Sequence, residues 1–178
     1  RLQYRYHPDF RAAQEDRKFA SLVEFGAALP AIRARVEDDL ALEGPVRERV
    51  IAAIVRLLDL GRIRVGSQRY ARANRSFGAT TLLPRHADVR GDKVRLTFRG
   101  KSGKPTEVTL SDRSLARAVR MAQELPGQHL FTFRNEAGEW RPVTSGDVNG
   151  WLQEVGGEGV TAKQFRTWWA SVIGIANW

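Results

Sequence analysis

Three short stretches of this sequence carry cationic side chains in settings suited to holding and acting on a phosphate. The first is Thr161-Ala162-Lys163-Gln164-Phe165-Arg166-Thr167-Trp168. Thr161 followed three residues later by Gln164 is a capping-box pattern, so a helix is expected to start here with Arg166 in its second turn, near the positive end of the helix dipole. Apolar Phe165, Trp168, Trp169, Val172, Ile173 and Ile175 flank Arg166 on more than one face, which predicts a largely buried helix whose arginine needs a partner. That partner is either an anionic ligand or a core carboxylate, and the sequence leaves both open.

The second stretch, Arg62-Ile63-Arg64-Val65-Gly66-Ser67-Gln68-Arg69-Tyr70, sets three arginines and a tyrosine beside a glycine that lets the backbone approach another group closely. Basic residues interleaved with an aromatic suit phosphate contact, and a solvated charged turn is the competing reading. The third, Arg99-Gly100-Lys101-Ser102-Gly103-Lys104, reads as a basic hairpin tip. A glycine-flanked lysine there either reaches into a neighbouring groove or is an ordinary turn residue.

The elements that must position these groups follow from periodicity. Leu2, Tyr4 and Tyr6 alternate as in a strand before Pro8. A helical pattern then runs from Asp9 through Phe10, Phe19, Leu22, Val23 and Phe25 to an expected break at Gly26 to Pro30. Pro30 is expected to open a second helix carrying Ile32, Val36 and Leu40, and Pro45 a third with Val46, Val50, Ile54, Leu57 and Leu58, ending near Gly61. The period then changes to two: Val94, Leu96 and Phe98 share a face, as do Val108 and Leu110, and Val89 belongs to a third short strand. Asp112 is expected to cap a helix through Gln123, and Ser145 or Asp147 to start one with Val148, Trp151, Leu152 and Val155 at core spacing, closed by Gly156-Gly157. These readings predict a mainly helical α+β domain with a small antiparallel three-stranded sheet bearing Lys101.

The 178 residues suffice for one core. Without cysteine there is neither a disulfide framework nor a thiolate metal site, and His7, His86 and His129 lack ligand spacing, so no metal or other cofactor is expected. No run of about 18 apolar residues appears, so no membrane association is expected. Lys plus Arg number 29 against 20 Asp plus Glu, for a net charge of +9, and a polyanion partner is the leading inference. Only five of those basic residues are lysine, and the arginine bias is equally consistent with a GC-rich genome. The sequence opens at Arg1 without methionine and stops at Trp178 inside an apolar helical pattern, so both ends are expected to be incomplete.

In order and spacing, these pieces resemble the catalytic domain of type IB DNA topoisomerases of the small bacterial or poxvirus-like kind. The resemblance runs from Leu29-Pro30-Ala31-Ile32-Arg33 through Arg62 to Gly66, Ser76-Phe77-Gly78-Ala79-Thr80-Thr81-Leu82, Phe98 to Lys104 and Leu125-Pro126-Gly127-Gln128 to Thr161 through Trp168. It implies residues 1–7 as the remnant of an N-terminal β region and 8–178 as the catalytic domain: helical over about 8–61, sheet-bearing over about 62–111 and helical over about 112–178. It further implies relaxation of supercoiled double-stranded DNA through a 3′-phosphotyrosyl intermediate without ATP or metal, by a monomer in a bacterial cytoplasm at the nucleoid. Arg64 and Arg166 become phosphate clamps and Lys101 the general acid, with Arg69, Tyr70, Lys104 and Lys163 near the DNA backbone. Guanidinium groups match charge building on phosphate oxygens, and a lysine suits proton delivery to a leaving oxygen.

The family's nucleophilic tyrosine and a histidine lie downstream of the second arginine, whereas the sequence ends 12 residues after Arg166 and its tyrosines are Tyr4, Tyr6 and Tyr70. Both groups are therefore expected beyond Trp178, and residues 1–178 alone are expected to be inactive in cleavage. Ser67-Gln68 departs from the acidic or amide residues more usual after the glycine. Tyrosine recombinases share the implied fold but usually carry histidine where this chain has Lys163, which favours relaxation over recombination. A noncatalytic DNA-binding module is the other alternative.

Overall fold

Apolar residues at steps of three and four from Leu22 to Leu40 build the first helix, α1 (Pro8–Ala41), whose inward stripe of Phe25, Leu29, Ile32, Val36 and Leu40 is almost wholly buried. The structure is a computed structural model describing residues 8–176, with side chains described from 19 to 174. The strand expected at Leu2 to Tyr6 lies outside the described residues. The break expected at Gly26 to Pro30 does not occur: α1 runs through both residues as one 34-residue helix. Pro30 faces solvent, and the intrahelical bond it cannot make is the one to the Gly26 carbonyl. Gly26 is a packing residue, since a Cβ there would stand 2.6 Å from the Trp168 ring.

The second helix, α2 (Arg47–Gly61), is the centre of the core, with Val50 to Asp59 all buried. Its charged residues are paired: Arg33 grips Asp59 through two hydrogen bonds of 2.8 and 3.0 Å, and Arg56 sits between Glu37 and Asp112. A short helix that the periodicity did not reveal, α3 (Gln68–Asn74), follows.

The sheet is antiparallel in the order β1 (Ala87–Arg90), β2 (Lys93–Arg99), β3 (Pro105–Ser111), as the alternation predicts. Val94, Leu96 and Phe98 point into the core while Lys93, Arg95, Thr97 and Arg99 point out. Next, α4 (Arg113–Gln123) is capped by Asp112, whose carboxylate accepts from the Leu115 N–H at 2.9 Å. The apolar Leu130 to Phe133 run leads into a hairpin that the sequence reading missed, β4 (Thr132–Arg134) paired with β5 (Trp140–Pro142).

Helix α5 (Ser145–Gly156) starts at Ser145, one of the two starts expected, and is capped by Thr144, which exchanges hydrogen bonds with Asp147 and makes a full capping box. The last helix, α6 (Ala162–Ala176), lies on α1 through the edge-to-face pair Phe25 and Phe165, whose ring centroids are 4.9 Å apart. Such a pair adds about 0.5–1.5 kcal/mol beyond area burial. Among the described residues no helix is long and apolar enough to cross a membrane.

Candidate active site

Arg64 projects outward because the segment leaving α2 alternates: Ile63 is 4% exposed and Val65 packs against the core, while Arg62 and Arg64 face solvent. Its backbone is held from the far side by a 3₁₀ turn, Ala79–Thr81. The Ala79 N–H donates to the Arg64 carbonyl and the Thr80 N–H to the Val65 carbonyl, each at 2.8 Å. This clasp needs glycine on both sides. Gly66 has φ +94°, and a Cβ on Gly78 would stand 2.5 Å from the Gly66 nitrogen. The close approach expected at Gly66 is thus made to Gly78, within the protein.

Lys101 lies at the β2–β3 tip as expected, in a tight turn closed by Gly100 N–H donating to the Lys104 carbonyl at 2.8 Å. One hydrogen bond joins this hairpin to the Arg64 clasp: the Phe77 N–H donates to the Arg99 carbonyl at 2.7 Å. The Ser76–Leu82 stretch carries no cation, yet it ties both cationic segments together.

Arg166 belongs to α6, which is not the largely buried helix expected from its aromatic residues. The helix buries only one side, through Phe165, Ala162 and Gln164, and leaves Lys163, Arg166 and Ala170 exposed on the other. Arg166 is therefore exposed, and it faces a groove. The expected capping box is half formed. The Gln164 side chain accepts from the Thr161 N–H at 2.6 Å, while Asn149 caps the Ala162 N–H at 2.9 Å. The Gln164 amide also donates to Ser21, pinning α6 to α1.

These three elements converge. Arg64, Lys101 and Arg166 all line a recess of about 360 Å³ that also contains Lys104, and all three line the adjoining groove of about 1030 Å³, where Lys163 and Tyr70 join them. Arg69, exposed on α3, lines neither. Partial burial and then the charge of Arg64 lower the Arg166 pKa below its ordinary value, a sign that two guanidinium groups share one small space. Among the described residues no carboxylate pairs with Arg64, Lys101, Lys104, Lys163 or Arg166, whereas Arg33, Arg35 and Arg56 all have acidic partners. The core-carboxylate alternative for Arg166 therefore fails, and a recess lined by Arg64, Lys101, Lys104 and Arg166, with no acidic partner among the described residues, remains. No group of three or more metal-binding side chains occurs among the described residues.

Two residues of the second stretch make contacts that the sequence does not reveal. Arg62 lines the same recess, with its guanidinium 4.6 Å from the centre of the Trp169 ring. Gln68 hydrogen-bonds His129 at 3.0 Å and so fastens α3 to the segment preceding β4. Neither pairing has a local sequence signal, because the partners lie far apart along the chain.

Residues 7–176 match the family model described as eukaryotic DNA topoisomerase I, catalytic core. The chain is 30% identical over 176 residues to DNA topoisomerase 1B of Acanthamoeba polyphaga mimivirus, covering 97% of this chain and 52% of that protein. It is 26% identical over 194 residues to DNA topoisomerase 1 of Mycosarcoma maydis, covering 96% of this chain and 19% of that protein. The chain thus spans about half of the viral relative and a smaller share of the fungal one. These relatives are viral and fungal, so they lend no support to the bacterial origin expected from the sequence. A solved structure, the XerH site-specific recombinase bound to difH substrate in a pre-cleavage complex, superposes with a TM-score of 0.53 at 12% identity, over 83% of this chain and 41% of that chain. At that identity the likeness is one of fold.

Proposed function

This chain belongs to the type IB DNA topoisomerase family, as part of its catalytic core, and from that premise we propose that the natural protein relaxes supercoiled double-stranded DNA by transient cleavage of one strand, without ATP or metal. The observation that carries the reading is the convergence of Arg64, Lys101 and Arg166 on one recess, with no acidic partner among the described residues.

In this mechanism a tyrosine oxygen attacks the scissile phosphorus, the bond from phosphorus to the 5′ oxygen breaks, and the phenolic proton leaves to water. A 3′-phosphotyrosyl link and a 5′-hydroxyl result. Arg64 and Arg166 hold the nonbridging oxygens, where charge grows in the transition state and fixed donors are worth most. Lys101 hands a proton to the departing 5′ oxygen and recovers it when the strand is resealed. Lys104, in the recess, and Lys163 and Tyr70, in the adjoining groove, contact the flanking backbone, and Arg69, exposed on α3 outside both, is assigned a more distant backbone contact. The nucleophile and a further histidine are assigned to sequence beyond Trp178. Tyr70, 62% exposed on the groove wall, is assigned to DNA contact. The protein acts as a monomer on cytoplasmic, nucleoid-bound DNA.

The test is relaxation of supercoiled plasmid by the full-length protein in EDTA without ATP, with a denaturing gel for protein-linked DNA. Relaxation with a covalent adduct is the expected result. Salt-sensitive binding with no nick and no adduct from the full-length protein would instead support a noncatalytic DNA-binding module.

A further inference from the structure

Arg62 is one of two arginines leaving α2 that have no acidic partner among the described residues, and its geometry differs from that of Arg64. It occupies the left-handed region at φ 53°, as the C-cap of α2, a conformation uncommon for a residue with a side chain. That turn sends the chain into the Ile63 to Val65 alternation, and the guanidinium lies 4.6 Å from the centre of the Trp169 ring. Trp169 sits three residues after Arg166 on α6, on the same side of the helix within one turn. The Trp169 indole N–H is buried and has no hydrogen-bond partner among the described residues. The ring is therefore not held by its polar end, as a buried tryptophan usually is. Stacking under Arg62 is the directional contact it makes.

The contact joins two segments that like charge would push apart. Arg64 and Arg166 face one recess without an acidic partner among the described residues, and the charge of Arg64 disfavours the charged form of Arg166. Arg62 stands two residues from one and Trp169 three from the other. We propose that the Arg62–Trp169 stack is a positioning strut that fixes the spacing of Arg64 and Arg166 across the phosphate site. This rests on the topoisomerase reading above. The rival role for Arg62 is direct contact with phosphate, since it too lines the recess.

The two roles separate in a double-mutant cycle in the full-length protein, reading single-turnover cleavage of a labelled duplex and equilibrium binding across a salt series. For a strut, Arg62→Gln and Trp169→Leu each slow cleavage by about 2- to 30-fold, the range that follows from the strength of a partly desolvated cation–π contact. Binding stays within about twofold, the double variant is no slower than the worse single one, and Arg62→Lys and Trp169→Phe recover most of the rate. Trp169→Phe keeps an aromatic face for the guanidinium while removing the fused pyrrole ring, whose N–H has no hydrogen-bond partner among the described residues. Additive losses in the double variant, or no loss in either single variant, would overturn the proposal. So would a fall of about one in the salt slope with Arg62→Gln alone, which marks a lost phosphate contact. If Trp169→Leu does not fold, the comparison of Arg62→Gln with Arg62→Lys and Trp169→Phe decides. Arg64→Ala and Arg166→Ala are run alongside: full cleavage by both would defeat the topoisomerase reading itself, whatever the cycle shows.

Discussion

Gly66 and Gly78 meet backbone to backbone, so that a Cβ on Gly78 would stand 2.5 Å from the Gly66 nitrogen and 2.6 Å from the Arg64 carbonyl oxygen. Rigid main-chain atoms cannot yield as a flexible side chain would. Gly78→Ala is therefore expected to push the 3₁₀ turn off Arg64, lowering both the melting temperature and the cleavage rate. Gly66→Ala meets softer limits, with neighbours at 3.0 to 3.1 Å and a strained φ, and should cost about 1–3 kcal/mol. Thermal melting of the two variants checks the order.

Lys101 stands on a turn closed by its own backbone bonds, and its side chain has no hydrogen-bond partner among the described residues. Removing the amine should leave the fold intact. Lys101→Ala is expected to slow single-turnover cleavage by about 10²- to 10⁴-fold, the usual worth of a general acid, while duplex affinity changes little. Full-rate cleavage by this variant would remove Lys101 from the mechanism.

Lys163 is exposed one helical turn before Arg166 and lines the groove without an acidic partner among the described residues. A backbone contact of this kind carries no sequence information. Lys163→Ala should weaken binding alike for unrelated duplexes and reduce the salt slope by about one. Titrations at several salt concentrations with two unrelated duplexes measure both.

Asp39 ties α1 to α5: its carboxylate accepts from the buried Trp151 indole N–H at 2.9 Å and from Arg35, one turn earlier on α1, at 2.9 Å. Asp39→Ala strands the indole donor beneath the surface. A loss of about 1–3 kcal/mol is expected from that donor alone, and chemical denaturation is the measurement. Trp151→Phe, which removes the donor, leaves no such orphan on the indole side.

His86 accepts the Leu83 N–H through Nδ1 at 3.1 Å, which requires the neutral ring. Burial, and then the charge of Arg85, lower its pKa below the ordinary 6.5. The unfolded chain therefore takes up a proton more readily than the folded one. The stability contributed by His86 is complete above the ordinary value and is lost as pH falls through the folded value. Melting temperature should drop on acidification below about pH 6.5, and His86→Asn should flatten that limb.

Much of the site was legible because its cations sit in local patterns. The alternation of Ile63 with Arg64, the hairpin about Lys101 and the cap before Arg166 each occupy a few consecutive residues. The sheet followed from the period of two in Val94, Leu96 and Phe98. What escaped detection depends on distant partners. Gly26 and Pro30 looked like a break because their real constraint, the Trp168 ring against Gly26, lies on another helix. Arg166 looked buried because sequence shows aromatic neighbours without showing which face they cover. The close approach expected at Gly66 is made to Gly78, a partner twelve residues on that the local pattern does not name. The short helix α3 and the β4–β5 hairpin are too brief for periodicity to reveal.

On the proposed function, the cations around the recess, which have no acidic partner among the described residues, would set fold stability against catalysis. The scaffold holds Arg64 and Arg166 together against their repulsion, so neutralising either one should make the empty protein melt higher even as it abolishes strand cleavage. Selection for thermal robustness alone would erase this site first, and a screen for stabilised variants should return inactive ones concentrated at these positions.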